Sequence, residues 1–308
     1  PMDSLIDRKA QLKVPALPGR GLTSSGETML IALSAQQDVA FIARSLVADQ
    51  PPVPRLKLLP TSLMLADLPQ LDPEQNSVLL GVGGPKLGAV NWDYLASQHI
   101  VCIGAQESGK STLISTIIAG LTQIGRERAR LVVIDHRRSH LGAIDPDMLA
   151  GYSASTQETE KLVAAMKITL EERLPSAEVT PKQLKDRSWW TGPDIFLIVD
   201  NLDLVPDMAF APLLSVLPHA RDVGLHVVIT RKSGGCVRAL FQPFLAEIKD
   251  QSPFIIVLDA DKDDGPLFGV RLKPQPPGRG VMIHHGTQQG LIQIAAVDMP
   301  EATEAKAS

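Results

Sequence analysis

The run Gly104-Ala-Gln-Glu-Ser-Gly-Lys-Ser111 has the residue types and the spacing needed to hold a chain of phosphates. Gly-x-x-x-x-Gly-Lys-Ser is the pattern of a P-loop. Its glycines, Gly104 and Gly109, let successive backbone N–H groups turn toward one anion, and a helix that starts at once adds its positive N-terminal end. Lys110 supplies a point charge to the outer phosphates, and the Ser111 hydroxyl can ligate Mg²⁺. The predicted nucleotide contacts are Gly104, Ala105, Gln106, Glu107, Ser108, Gly109, Lys110, Ser111 and Thr112, with ATP and Mg²⁺ as ligands. The context supports this: the octapeptide follows an apolar strand and opens an amphipathic helix.

Such a loop needs a carboxylate at the end of a neighbouring strand to hold the metal through water. Asp200, after the apolar run Ile195–Val199, is the preferred candidate; Asp135, closing Leu131–Ile134, competes with it. The next residue bears on catalysis. Hydrolysing P-loop enzymes usually carry an acid just after that Asp, to orient and deprotonate water. Here it is Asn201, whose amide can hold a water but cannot take its proton, so tight binding and slow turnover are expected. Asp203, two residues further, reads as a cap of a helix or loop.

The elements that must position these groups alternate between strand and helix from Gln98 onward, the pattern of an α/β fold with a mostly parallel sheet flanked by helices on both faces. His99–Ile103, Leu131–Ile134, Ile195–Val199, Leu225–Ile229 and Phe254–Leu258 are continuous apolar runs, as strands covered on both faces require. A helix is expected from about Ser111 to Ile124, with Leu113, Ile114, Ile117, Ile118 and Leu121 on one face. Ser155-Thr-Gln-Glu158 is a capping-box pattern, and the helix after it places Leu162, Val163, Met166 and Leu170 on one side. Upstream, Ser77–Val82 reads as a strand that turns at Gly83-Gly-Pro85 and returns through Val90 and Trp92. Pro18-Gly-Arg-Gly-Leu22 and Pro277-Gly-Arg-Gly-Val281 repeat one another, each opening a two-stranded hairpin. The Pro-rich stretch Gln50–Arg55 reads as an extended linker.

Several other features carry less. His136 and His140 have the i, i+4 spacing of a zinc helix but lack the Glu of His-Glu-x-x-His, and read as part of a solvent-facing loop. Asp259–Asp264 imitates a calcium loop, but Asp264 and Val270 stand where Gly and Glu are required. Trp189 and Trp190 fit a ligand platform or a loop packed on the domain equally well. His226, inside a strand, reads as a satisfied core residue. Cys102 reads as buried in a strand, and Cys236 sits in a Gly-rich loop, where a reduced thiol fits a reducing compartment. The 308 residues are 44% hydrophobic and carry a formal charge of −4, which argues against a dedicated nucleic-acid binder. No apolar stretch approaches the roughly 20 residues of a membrane span. The start, Pro-Met-Asp-Ser, has no signal pattern, and the chain reads as a piece of something longer.

Taken together, these motifs resemble the FtsK/SpoIIIE-type ATPases, and within them the EccC proteins of type VII (ESX) secretion. The resemblance covers residues 75 to 297. It rests on the octapeptide at Gly104, on Val132-Val-Ile-Asp-His-Arg-Arg-Ser-His-Leu-Gly142, and on Gly192-Pro-Asp-Ile-Phe-Leu-Ile-Val-Asp-Asn-Leu-Asp-Leu-Val205. Ala220–Arg231 and Pro276–Gly280 extend it. It implies a RecA-like P-loop fold and three tandem ATPase modules behind a membrane anchor. Residues 1–45 would then be the closing hairpin of a preceding module, 46–72 a Pro-rich linker, 73–300 an FtsK-like ATPase domain most like the third, C-terminal module, and 301–308 a polar tail. The family implies a cytoplasmic motor held at the inner membrane through the rest of the secretion complex. It also implies preceding modules as partners, a hexameric arrangement, and secreted small helical-hairpin substrates recognised through a C-terminal signal. Related DNA translocases have an acid pair where this chain has Asp200-Asn201, and Ala-Thr-Gln-Arg-Pro where it has Ile229-Thr-Arg-Lys-Ser233. Both departures count against DNA translocation, the alternative function, as the intact Gly109-Lys110-Ser111 counts against a relic that binds nothing. Arg231 or Arg221 is the candidate to act on a neighbouring module's nucleotide.

Overall fold

In the computed structural model the chain divides into two units, Pro1–Leu56 and Lys57–Ser308. The structure describes residues 12, 14–23, 25–32, 35–45, 57–72, 74–259, 265–270 and 274–298. The Pro-rich run at 50–55, most of the calcium-like segment and the polar tail at 301–308 lie outside them. In the first unit, Leu17-Pro18-Gly19-Arg20 forms a turn in which the Arg20 amide donates to the Leu17 carbonyl at 3.2 Å and Gly19 adopts a φ of 77°. Pro at the second position and a left-handed Gly at the third are the chemistry of a type II turn. The turn opens strands β1 (Arg20–Leu22) and β2 (Thr28–Leu30), which pair antiparallel with Arg20 opposite Leu30, and helix α1 (Gln36–Ser45) follows.

The same four-residue motif makes the same structure in the second unit. The Arg279 amide donates to the Pro276 carbonyl at 3.0 Å, Gly278 has a φ of 75°, and the Ile294 amide closes on the Gly278 carbonyl at 2.8 Å, as the Ile31 amide does on Gly19 at 2.7 Å. The repeat seen in the sequence is therefore a repeat of backbone conformation and hydrogen bonding.

The second unit is built on one sheet. In chain order its elements are β3 (Ser77–Gly83), β4 (Gly88–Asp93), β5 (His99–Gly104), α2 (Lys110–Ile124), β6 (Ala129–Asp135), β7 (Leu149–Ser153), α3 (Thr156–Glu171), α4 (Pro181–Asp186), β8 (Asp194–Asp200), α5 (Ala220–Val223), β9 (Leu225–Lys232), α6 (Cys236–Ala239), α7 (Pro243–Asp250), β10 (Phe254–Val257), β11 (Arg279–His284) and β12 (Thr287–Ile294). The ten strands lie in the order β4-β3-β12-β11-β10-β5-β9-β8-β6-β7. The stretch from β10 to β7 is parallel, and β11, β12, β3 and β4 extend it antiparallel. The chain leaves β5 for β6 on one side and returns to β10 on the other. The C-terminal end of β5 is therefore a switch point, where open α/β sheets bind ligands.

Burial explains the unbroken apolar runs. Along β5, Val101 and Ile103 pack into a core shared with α3 and α7, while Ile100 and Cys102 pack beneath α2 with Leu113, Ile114, Ile117 and Leu121. Each such side chain, fully removed from water, contributes about 1.5–3 kcal/mol. The amide and carboxylate of Glu158 return to Ser155 at the start of α3, the predicted cap. His226 is buried and satisfied, between the Gln98 carbonyl and Asp194 at 3.2 Å each. No helix among the described residues is long and apolar enough to cross a membrane.

Two expectations change, and one open alternative narrows. Residues 57–72, read as linker, belong to the second unit. Arg279 donates to the carbonyls of Leu59 and Pro60 at 3.1 and 2.6 Å, and the Leu65 amide donates to the Ala296 carbonyl at 2.7 Å, so the extended chain is tied along the C-terminal hairpin. Cys236 is not in an open loop: it is buried and begins α6. The tryptophans, which fit a platform or a packed loop equally well in the sequence, pack a loop. The indole N–H of Trp189 donates to the Arg173 carbonyl at 2.7 Å, that of Trp190 to the Asp222 carbonyl at 2.8 Å, and the Arg173 guanidinium lies 4.3 Å over the Trp190 ring.

Candidate functional site

The octapeptide forms a tight curl between β5 and α2. Gly109 sits at a φ of 103°, and a Cβ there would lie 2.8 Å from the Gly278 amide nitrogen, so both conformation and space demand glycine. A Cβ on Gly104 would meet the Ser108 hydroxyl at 2.3 Å. Ser108 in turn donates to the Ala105 carbonyl at 2.8 Å, and its own carbonyl accepts from the Gly278 amide at 2.8 Å. The Pro-Gly-Arg-Gly turn is thus part of the loop's wall. Glu107 takes a φ of 59°. Lys110 reaches back into the curl, donating to the Gly104 carbonyl at 3.0 Å and to that of Ala105. Burial lowers the Lys110 pKa, against the pull of Asp200 and Asp203. Beneath the loop, burial pushes the Cys102 thiol up to about 12, which keeps it protonated.

Ser111 donates to the Asp200 Oδ2 at 2.9 Å. Asp200 closes β8, two strands from β5, and every oxygen it carries is engaged. The same Oδ2 faces the His140 Nε2 at 3.2 Å, and Oδ1 accepts from the Thr230 hydroxyl. Burial alone would raise this carboxyl, but the donors from His140, Thr230 and Ser111 outweigh it and hold its pKa below the usual range. Asp135, the competitor, lies opposite Asp200 in the β6–β8 register. Its Oδ2 is taken by the His140 amide at 2.7 Å and the Tyr152 hydroxyl at 3.0 Å. The Ser111 hydroxyl therefore meets Asp200, and Asp135 anchors the loop after β6.

His140 is buried, not solvent-facing as its spacing suggests. After β6 ends at Asp135, the chain turns through Arg138 at a φ of 59°, and the Asp135 carboxylate captures the His140 amide. That turn buries His140 to 2% exposure and leaves Arg137 and Arg138 outside. His136 is half-buried, 3.0 Å from the Thr159 hydroxyl. No group of three His, Cys, Asp or Glu side chains among the described residues could hold a metal by itself.

Asn201 follows Asp200 at a φ of 59°, a left-handed position that Asn tolerates better than most residues. Its backbone N–H donates to the Thr230 hydroxyl at 2.8 Å. Asp203 is tied to the end of β9, accepting from the Lys232 amide at 3.1 Å with the Lys232 ammonium 3.5 Å away. Arg231 is turned away from these groups: its guanidinium donates to the carbonyls of Lys232 and Gly234 at 3.0 and 3.3 Å. Strand alternation is the reason, because Thr230 and Lys232 take the side that faces the loop. Arg231 is thus held within its own segment, while Arg221 is exposed.

These parts open on one cavity of about 940 Å³, lined by loop residues 105–107 and 109–112, by Arg137, Asn201, Asp203 and Lys232, and by Pro277, Gly278, Gln293 and residues 61–63. The loop and Asp200 meet at Ser111, and His140, Thr230, Gly278 and Gln293, to which no motif points, join them from distant segments.

No family profile matches the chain. Two relatives do. The ESX secretion system protein EccC of Thermomonospora curvata is 36% identical, the match spanning 96% of this chain and 24% of that protein. The ESX-4 secretion system protein EccC4 of Mycobacterium tuberculosis is 35% identical, over 96% of this chain and 24% of its own length. The chain thus spans about a quarter of the length of these two relatives. A solved structure of ATPases 2 and 3 of Thermomonospora curvata EccC, in complex with a signal sequence peptide, superposes with a TM-score of 0.76 at 35% identity, covering 96% of this chain and 56% of that one. With the loop, the parallel sheet and these matches in agreement, the chain belongs to the EccC family of type VII secretion ATPases.

Proposed function

We propose that the second unit, most like the third module of such an ATPase, binds Mg·ATP, hydrolyses it slowly, and couples nucleotide occupancy to docking of secreted helical-hairpin proteins. The observation that carries the reading is the pairing of an intact phosphate loop with Asn201 after Asp200. Gly104 to Thr112 would surround the phosphates, with Lys110 as the point charge. Ser111 and Asp200 offer two hard oxygen donors at 2.9 Å, and Asp200 is held ionised, a donor set that fits Mg²⁺. Bound there, Mg²⁺ would neutralise charge on the phosphate oxygens. Asn201 can orient a water through its amide but supplies no base, so turnover is slow. Substrate docking is supported by the neighbour solved with a signal sequence peptide. A preceding module, a hexameric ring, indirect contact with a membrane complex and a cytoplasmic location follow from the same family reading. DNA translocation is disfavoured by the acidic balance of the chain and by relatives that are secretion proteins.

Calorimetric titration with Mg·ATP tests this. Saturable binding by the chain, weakened at least about a hundredfold by Lys110→Ala as loss of a charge-assisted phosphate contact requires, is the expected result. No binding by the unaltered chain would sink the reading.

A further inference from the structure

The order of the strands divides the cavity. β5 delivers the phosphate loop; β9, β8 and β6 lie to one side and end in the acid cluster and Asn201, while β10, β11 and β12 lie to the other. A nucleoside triphosphate with its outer phosphate toward Ser111 and Asp200 must then extend its base toward the β11–β12 side. That end is lined by Pro277, Gly278, Gln293 and Ile294, with residues 61–63 as the outer wall.

Gln293 is 3% exposed there. Its Nε2 donates to the Pro277 carbonyl at 3.1 Å, which fixes which end of the amide is nitrogen. The other end, Oε1, is buried with no hydrogen-bond partner. Buried polar atoms left unpaired are rare and ask for an explanation. The neighbouring backbone is shaped around this amide. A Cβ on Gly278 would lie 2.7 Å from the Gln293 Nε2, so only glycine leaves room for the side chain where it is.

Resting on the reading that this site takes a nucleotide, we propose that Gln293 selects the base: its Oε1 accepts a hydrogen bond from the exocyclic amino group of adenine. Guanine presents a carbonyl oxygen at the same ring position, so acceptor would face acceptor. A base without the amino group leaves Oε1 unpaired. The discriminating residue is thus on the last strand among the described residues, almost two hundred positions from the loop that holds the phosphates.

The test compares ligands first. The full chain is titrated calorimetrically, in Mg²⁺, with ATP, GTP and the triphosphate of purine riboside, which is adenosine lacking the amino group. ATP is expected to bind about tenfold more tightly than either, the loss that an unpaired buried acceptor brings. Gln293→Met, similar in size and without the acceptor, should narrow the preference to within about twofold. Equal affinity for ATP and the purine riboside compound, or an unchanged preference in Gln293→Met, overturns the proposal. Should the variant fail to fold, the ligand comparison on the unaltered chain decides alone. Binding of all three compounds with no discrimination defeats this inference only, whereas binding of none defeats the nucleotide reading beneath it.

Discussion

The phosphate loop and the acid cluster face each other across the start of α2, yet they are held by different means. The loop is held through its main-chain carbonyls: those of Gly104 and Ala105 accept from Lys110 and the Ser108 hydroxyl, that of Ser108 accepts from the Gly278 amide, and its conformation depends on glycine. The acid cluster is made of side chains from α2, the loop after β6, β8 and β9, converging on the two oxygens of Asp200. The first arrangement fails when a backbone angle is denied. The second fails one donor at a time, each loss leaving a buried carboxylate less satisfied. The two regions should therefore respond differently to substitution.

The sharpest break is expected at the loop. Gly109→Ala must place a side chain at a φ of 103° and against the backbone of Gly278 at 2.8–2.9 Å. Left-handed strain together with an overpacking clash against main chain should destabilise the second unit by about 3 kcal/mol or more. Chemical denaturation would measure this, and nucleotide titration should show binding lost as the curl opens. An alanine variant that binds Mg·ATP normally would mean that the loop is not under the constraint described.

His140→Ala probes the other region. It removes the Nε2 partner of Asp200 from a position that is 2% exposed and leaves a void beside a buried carboxylate. The loss should be about 2 kcal/mol, the range for removing one partner of a buried polar group. Urea unfolding checks it. A change below about 0.5 kcal/mol, the range of ordinary surface substitutions, would return His140 to the solvent-facing role that spacing alone had given it.

These two residues mark how far the sequence could be read. Gly109 is legible because the loop is local: eight consecutive residues, a strand before them and a helix after them carry the whole signal. The parallel sheet is legible for a similar reason, since burial on both faces writes itself as continuous apolar runs. Asp200 could be named because it ends such a run. His140 could not, because its role depends on Asp135 catching its amide and bending the loop back over the strand ends. The same holds for Thr230 and Gln293, whose side chains bond to residues 30 and 16 positions away. The repeated Pro-Gly-Arg-Gly could be read as a turn but not as part of the loop's wall, since only the sheet order brings Gly278 to Ser108.

The acid cluster also sets a pH response that the loop does not share. The folded-state pKa of Asp200 lies below its unfolded value of about 3.9. Its contribution to stability is then fully present above about pH 4, and is lost as the pH falls through the depressed folded value. Unfolding curves from pH 7 to pH 3 should show the gap between the unaltered chain and Asp200→Asn narrowing only below about pH 4. A gap that stays constant would mean that the donors around Asp200 do not favour its ionised form.

The smallest expected effect tests where the two regions meet. Asn201 has its amide on Thr230 and its side chain on the cavity, so replacing it by an acid leaves the backbone bond in place. Asn201→Glu must occupy a φ of 59°, at a strain of about 1 kcal/mol relative to Asn. Against that, a carboxylate at this position can take a proton from an attacking water. A well-placed general base is worth 10²- to 10⁴-fold, but a glutamate added to a turn shaped for asparagine should recover only about threefold of it in steady-state phosphate release. The direction is what matters: a rise with unchanged Mg·ATP affinity locates the deficit at residue 201. An unchanged rate with intact binding removes Asn201 as the cause of slow turnover and moves the deficit to a part of the motor outside this chain.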